Sequence, residues 1–229
     1  MRIGILIFPG MTQLDATGPY EVLARVPSTQ VDLIARGSAP VVTEWGMAIV
    51  PTVDMREAPP LDLLCVPGGG GINALLGDTE VLGFLAREGA HAQYVTSVCT
   101  GALVLGAAGL LRGYRATTHW LSLDLLPLLG AIPVDERVVI DRNRITGGGV
   151  TAGIDFGLVV AKAIAGEDAA REIALMMEYE PSPPLLAGTP HTAAPSTVES
   201  VRQKRRAFQA ERRGLVEQAA KRLGLGRAG

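Results

Sequence analysis

One segment restricts the fold more than any other. Tyr94–Val98 is a short apolar run that passes directly into Cys99-Thr100-Gly101 and then into a helix-like stretch of small residues, Ala102–Ala108. A buried strand that turns into a helix within one residue needs small neighbours, and Ser97 and Gly101 supply them two places before and after Cys99. The strand-then-helix order recurs along the chain. Arg2–Phe8 ends at Pro9-Gly10 and precedes a helix over Leu14–Arg25, with Pro19 expected in its first turn. Val31–Ala35 reads as a strand, Val41–Val53 as a hairpin around Trp45-Gly46, and Leu61–Val66 as a strand closed by Pro67 and Gly68–Gly71. A helix over Glu80–Ala90 follows.

Beyond Cys99, Ala116–Trp120 reads as a strand and Leu121–Leu129 as a helix. Val134–Asp141 and Arg144–Thr146 pair as a hairpin, and Gly153–Ala165 and Ala169–Tyr179 are helices. Strands alternating with helices imply parallel βαβ units, right-handed crossovers and a sheet covered on both faces.

Hydrophobic residues make up 48% of the 229, which excludes a disordered chain. No apolar run approaches the roughly 20 residues of a membrane span. Two cysteines are too few for a disulfide framework, so a reducing, cytoplasmic setting is expected, and each cysteine is a core residue or a reactive thiol. The chain reads as one domain. An α/β body covers 1–179, and a connector with five prolines plus a helix, 180–229, packs on it. Ser196–Gly229 carries nine Lys and Arg against three Asp and Glu, a basic tail that invites a nucleic-acid reading. The spacing of Val198, Val201, Phe208, Leu215, Ala219 and Leu223 favours instead a docked helix, with Arg and Lys on its outer face.

In an open α/β sheet, chemistry sits beyond the carboxyl ends of the strands. Three features fall there: Asp15, the Gly68–Gly71 loop and Cys99. Cys99 is a candidate nucleophile at a helix start, whereas Cys65, inside LDLLCV, reads as core. The glycine loop offers backbone N–H groups for an anion but lacks the Lys-Ser/Thr of a phosphate loop. Asp15 is either a helix N-terminal charge or a carboxyl facing the thiol. His119 is a possible base near the site, while His91 and His191 read as solvent-side. No metal-ligand spacing is present.

LDLLCVPGGGG, YVTSVCTGALVLGAAGLL and LDATGPYEVL together resemble the ThiJ/PfpI superfamily, whose fold is that of class I glutamine amidotransferases. RATTHW, GAIPVDERVV, TGGGVTAGIDF and YEPSPP are similar to its isocyanide hydratase branch. The resemblance implies a flavodoxin-like three-layer α/β sandwich with a mostly parallel central sheet and a C-terminal helical extension. Many superfamily members place a glutamate opposite the cysteine, and protease-like members a histidine after it. Asp15 and Thr100 stand there instead, which agrees with the hydratase branch.

Carried over, Cys99 attacks an organic isocyanide such as cyclohexyl isocyanide to give a thioimidate. Asp15 supplies the proton, and Asp15 with the Thr100 hydroxyl positions water to release an N-substituted formamide. The N–H groups of Gly69 and Gly70 stabilise the tetrahedral stage. No cofactor or metal is implied, the partner is a small isocyanide rather than nucleic acid or membrane, and the assembly is a homodimer. The pocket is expected to consist of glycine, threonine and aliphatic residues. Two other classes share these motifs: a redox-sensing or chaperone-like protein with an oxidisable Cys99, and the ligand-sensing domain of AraC-type transcription regulators.

Overall fold

The computed structural model describes residues 1–225; the last four positions of the 180–229 segment lie outside them. In chain order the elements are β1 (Arg2–Leu6), α1 (Gln13–Leu23), β2 (Gln30–Ala35), β3 (Val41–Val42), β4 (Ala48–Ile49), β5 (Val53–Asp54), β6 (Leu63–Val66), α2 (Ile72–Leu75), α3 (Thr79–His91), β7 (Tyr94–Val98) and α4 (Gly101–Ala107). Then come β8 (Arg115–Ala116), a 3₁₀ helix (Trp120–Leu129), β9 (Ile132–Pro133), β10 (Val138–Asp141), β11 (Arg144–Gly147), α5 (Ala152–Ala165), α6 (Glu167–Met176) and α7 (Pro195–Arg222).

Seven strands form the central sheet in the order β10-β11-β7-β6-β1-β2-β5. All neighbours are parallel except the β10–β11 hairpin. Each residue of β6 and β11 is buried, as strands covered on both faces require. The fold is the flavodoxin-like α/β sandwich with a C-terminal helix. Because β6 lies between β7 and β1, the three chain segments that leave these strands at their carboxyl ends emerge side by side.

Several elements differ from the sequence reading. The hairpin around Trp45-Gly46 is only β3–β4, with Val41 opposite Ile49, and Val53 instead joins the central sheet beside Ile34. Ala116–Trp120 is not a strand of the central sheet: β8 ends at Ala116 and pairs with β9, while Thr117–His119 form a loop. Leu121–Leu129 lies in a 3₁₀ helix that contains Pro127. Strand pairing in Val134–Asp141 begins only at Val138.

Helix α1 begins at Gln13, so Pro19 lies in its interior rather than its first turn. A proline there removes one intrahelical bond, and close packing accompanies it. A Cβ on Gly153 would come within 3.2 Å of Pro19, and one on Gly157 within 2.9 Å of Val22. Glycines thus bring α5 onto α1.

Helix α7 docks on the body through Val216, Ala219 and Ala220, with Val198, Val201, Phe208, Leu215 and Leu223 half-buried. The expectation that all its basic residues face outward fails at Arg212, which is only 4% exposed. No described helix is long and apolar enough to cross a membrane.

Candidate active site

Cys99 and the N-cap Thr100 are the two residues between β7 and α4. The φ of Cys99 is +55°, in the left-handed region that side chains with a Cβ rarely adopt. Surrounding contacts hold it there. Its N–H donates to both Gly147 O (3.0 Å) and Gly148 O (2.8 Å), and its carbonyl accepts the Thr118 hydroxyl at 2.8 Å. Glycine is sterically required two residues after it: a Cβ on Gly101 would lie 1.9 Å from Val66 O.

Asp15 projects from the first turn of α1 and is fully buried. Its Oδ2 accepts the Gly68 N–H at 3.0 Å, while Oδ1 has no protein hydrogen-bond partner among the described residues. It lies beside the Cys99 thiol, near enough for each group to perturb the other's ionisation. Burial pushes the Asp15 pKa up to about 7, against smaller opposing effects of Cys99 and the Gly68 amide. Burial, and then the Asp15 charge, hold the Cys99 thiol well above its ordinary value. Near neutral pH Asp15 is therefore poised between its protonated and ionised forms, while the Cys99 thiol keeps its proton. That departs from the thiolate expected of a helix N-terminus, because desolvation outweighs the dipole here.

The glycine loop after β6 is clamped by the segment that follows β1. Thr12 N–H donates to Gly68 O (3.0 Å), and Gly71 N–H donates to Gly10 O (2.8 Å). Side chains cannot fit at this junction. A Cβ on Gly69, where φ is +126°, would lie 2.3 Å from Thr12 N, and one on Gly68 would lie 2.5 Å from Thr100 N. Thr100 is buried, and its Oγ1 accepts the Gly69 N–H at 3.0 Å. The Gly69 amide is thus already engaged, and both Gly69 and Gly70 line the cavity above the thiol.

That cavity has a volume of about 120 Å³. Besides Cys99, Thr100 and the glycines it is lined by Leu121, Val150 and Phe208, by His119, which the sequence placed near the site, and by polar residues that were not anticipated, among them Glu44, Gln209 and Arg212. The expected pocket of glycine, threonine and aliphatic side chains is therefore too apolar a description. Glu44 comes from the turn of the β3–β4 hairpin and accepts the Thr12 hydroxyl at 3.2 Å.

His119 reaches the cavity from the loop before the 3₁₀ helix. Its Nδ1 accepts the Leu121 N–H at 3.3 Å, which places the ring proton on Nε2. Burial, aided by Arg212 and Arg205, lowers its pKa to about 4. It is a neutral hydrogen-bond donor. His91 and His191 are exposed, the latter paired with Asp135 at 2.8 Å.

Arg212 closes the cavity from α7. It donates from Nε to Asn73 Oδ1 (2.9 Å), from Nη1 to Ser122 Oγ (3.3 Å) and from Nη2 to Gly69 O (3.1 Å), and its guanidinium carbon lies 4.8 Å from the Phe208 ring centroid. Nothing in its local sequence distinguished it from the exposed arginines around it. The available signal was its spacing of four from Phe208 and Val216, on the apolar stripe.

Cys65 lies in β6, fully buried, with its pKa raised to about 12 by desolvation. Among the described residues no group of three or more His, Cys, Asp or Glu could hold a metal ion.

The chain is 49% identical over 225 residues to an isonitrile hydratase of Pseudomonas putida, covering 98% of this chain and 99% of that protein. A crystal structure of a ThiJ/PfpI family protein from Pseudomonas syringae superposes with a TM-score of 0.92 at 43% identity, over 94% of this chain and 90% of that one. The HTH-type transcriptional regulator GbdR of Pseudomonas aeruginosa is 33% identical over 137 residues, covering 59% of this chain but only 37% of the regulator. Residues 1–163, which include the Cys99 turn, the glycine loop and Asp15, match the DJ-1/PfpI family, and the chain belongs to that family.

Proposed function

We propose that the protein is an isocyanide hydratase, a hydro-lyase that converts an organic isocyanide and water to an N-substituted formamide. The observation that carries this reading is the juxtaposition of the Cys99 thiol with a carboxyl, Asp15, that exchanges its proton near neutral pH, beneath a small cavity. Near-full-length similarity to the P. putida isonitrile hydratase supports it.

The chemistry follows from these protonation states. Asp15 takes the thiol proton as Cys99 sulfur bonds to the terminal isocyanide carbon, and returns it to that same carbon. The product is a thioimidate, R–N=CH–S–Cys99. Water held by the Thr100 hydroxyl and Asp15 then adds to the carbon while the nitrogen gains a proton. The carbon–sulfur bond breaks, the hydroxyl proton passes through Asp15 to sulfur, and R–NH–CHO leaves. Because the Gly69 N–H is engaged by Thr100, Gly70 is the better of the two expected oxyanion donors. His119, neutral with Nε2–H, is suited to donate a hydrogen bond but not to accept the thiol proton.

A redox-sensing role has less support. Sensor cysteines are accessible and acidic, whereas Cys99 is 4% exposed with a raised pKa. Helix α7 contributes Arg212 to the active cavity, and the similarity to a transcription regulator covers only 59% of this chain at 33% identity. The proposal extends to one domain with 180–229 as its extension, to a cytoplasmic setting in which both thiols stay reduced, and to a homodimer. The exposed apolar hairpin of Val42, Trp45 (80% exposed) and Met47 offers that dimer a surface.

Incubation with cyclohexyl isocyanide, with the formamide followed by mass spectrometry, tests the reading. Turnover by the parent and none by Cys99→Ala is expected. Equal turnover by a folded Cys99→Ala protein would remove the covalent mechanism.

A further inference from the structure

The C-terminal helix places a buried cation over the site. Arg212 is 4% exposed, yet no ion pair among the described residues includes it, and the three hydrogen-bond acceptors of its guanidinium are all uncharged. A buried charge without a counterion is costly, so folds rarely keep one without a functional reason. The charged or titratable groups near enough to feel its charge are Cys99, Glu44 and His119 in the cavity, and Arg205 and Glu211 on its own helix.

The Gly69 peptide connects Arg212 to the thiol. At one end its carbonyl accepts the guanidinium at 3.1 Å, and at the other its N–H donates to Thr100 Oγ1 at 3.0 Å. The Thr100 hydroxyl has a single hydrogen. Its distance to Gly69 O is 3.4 Å, longer than an ordinary O–H···O bond, whereas the charged donor occupies that carbonyl at the shorter distance. The charged donor at the shorter distance makes Gly69 O a weak competitor for the Thr100 hydrogen, which leaves that hydrogen available to a molecule in the cavity.

We propose that Arg212 is a positioning residue of this active site: through the Gly69 peptide it orients the Thr100 hydroxyl, and its charge favours the ionised form of Cys99. Helix α7 is thereby a functional part of the site. The consequence for turnover rests on the hydratase reading; the consequence for thiol ionisation does not.

The test compares Arg212→Met, which removes charge and fork, with Arg212→Lys, which keeps only the charge. Arg206→Met on the exposed side of α7 is the control. Iodoacetamide labelling of the Cys99 peptide is followed against pH by mass spectrometry, and kcat and KM are measured with cyclohexyl isocyanide. In Arg212→Met the labelling midpoint moves to higher pH, with at least a tenfold slower reaction at pH 8, and kcat falls at least tenfold with a smaller change in KM. Arg212→Lys restores the labelling profile but not kcat. A folded Arg212→Met protein with an unchanged labelling profile and kcat within twofold of the parent overturns the proposal. Should Arg212→Met fail to fold, Arg212→Lys decides, and a kcat within twofold of the parent overturns it. If the parent shows no hydration, the labelling profiles alone decide whether Arg212 acts on Cys99.

Discussion

Gly68 donates its backbone N–H to Asp15 Oδ2 at 3.0 Å, tying the loop after β6 to the first turn of α1 across 53 residues of chain. The bond satisfies one carboxyl oxygen and leaves the other without a protein partner among the described residues, on a carboxyl that lies beside the Cys99 thiol. It also fixes where any change at position 68 is felt.

Gly68→Ala places a Cβ 2.5 Å from Thr100 N and 3.0 Å from Asp15 Oδ2. Both groups must move, and misplacement by about 1 Å costs on the order of 10² in rate. A fall of that size in kcat, with a soluble, folded protein by circular dichroism, is expected. Unchanged kcat would show that the spacing of Asp15 and Thr100 is not critical.

Asp15 makes stability depend on pH in an unusual direction. Its carboxyl titrates at about 7 in the fold against 3.8 ordinarily, so the folded state binds more protons between these values. The Asp15 contribution to stability is therefore fully present below pH 3.8 and is lost as pH rises through 7. Asp15→Asn should be more stable than the parent by a few kcal/mol at pH 8, with the difference vanishing near pH 4. Urea denaturation across this range measures it, and the variant should also lose turnover.

His119 works in the opposite sense. Its pKa falls from 6.5 to about 4 on folding, so its contribution is present above pH 6.5 and lost as pH falls towards 4. In the parent the two slopes offset each other. His119→Gln retains an acceptor for the Leu121 N–H and should leave the Asp15 slope exposed, so that stability falls more steeply from pH 4 to 7. An unaltered stability profile would mean that His119 is protonated normally.

The turn at Cys99 stores backbone strain. At φ +55° a glycine is unstrained where alanine is not. Cys99→Gly should be more stable than Cys99→Ala by about 1 kcal/mol, in spite of the general cost of glycine, with both inactive. Equal unfolding midpoints would place the strain elsewhere.

Cys65 separates core from chemistry. Cys65→Ala removes a fully buried sulfur from β6 and should cost about 1–2 kcal/mol in urea unfolding while leaving kcat within twofold of the parent. A tenfold loss of kcat would give Cys65 a part in the site.

The strand-turn-helix pattern at Tyr94–Ala108 and the apolar runs ending in glycine were legible because local sterics and periodicity specify them. Cys99, Asp15 and the glycine loop could be singled out for the same reason, since each lies directly at a strand end or a helix start, whereas Thr100 entered only through the resemblance. Val53 and Ala116 were misassigned because short edge strands carry little pattern of their own, and their partners are chosen by the sheet.

The remainder required the tertiary structure. No local rule places β6 between β1 and β7, the arrangement that brings Asp15 and Cys99 together, and no sequence window reports the desolvation that raises both their pKa values. Glu44 and Arg212 enter the cavity from a hairpin and a terminal helix far away in the chain. The sequence by itself determined the α/β class and the residues capable of chemistry, since these depend on short-range geometry. Which charges face the thiol, and which protons they hold, depend on burial and on contacts between distant segments, and only the tertiary structure decided them.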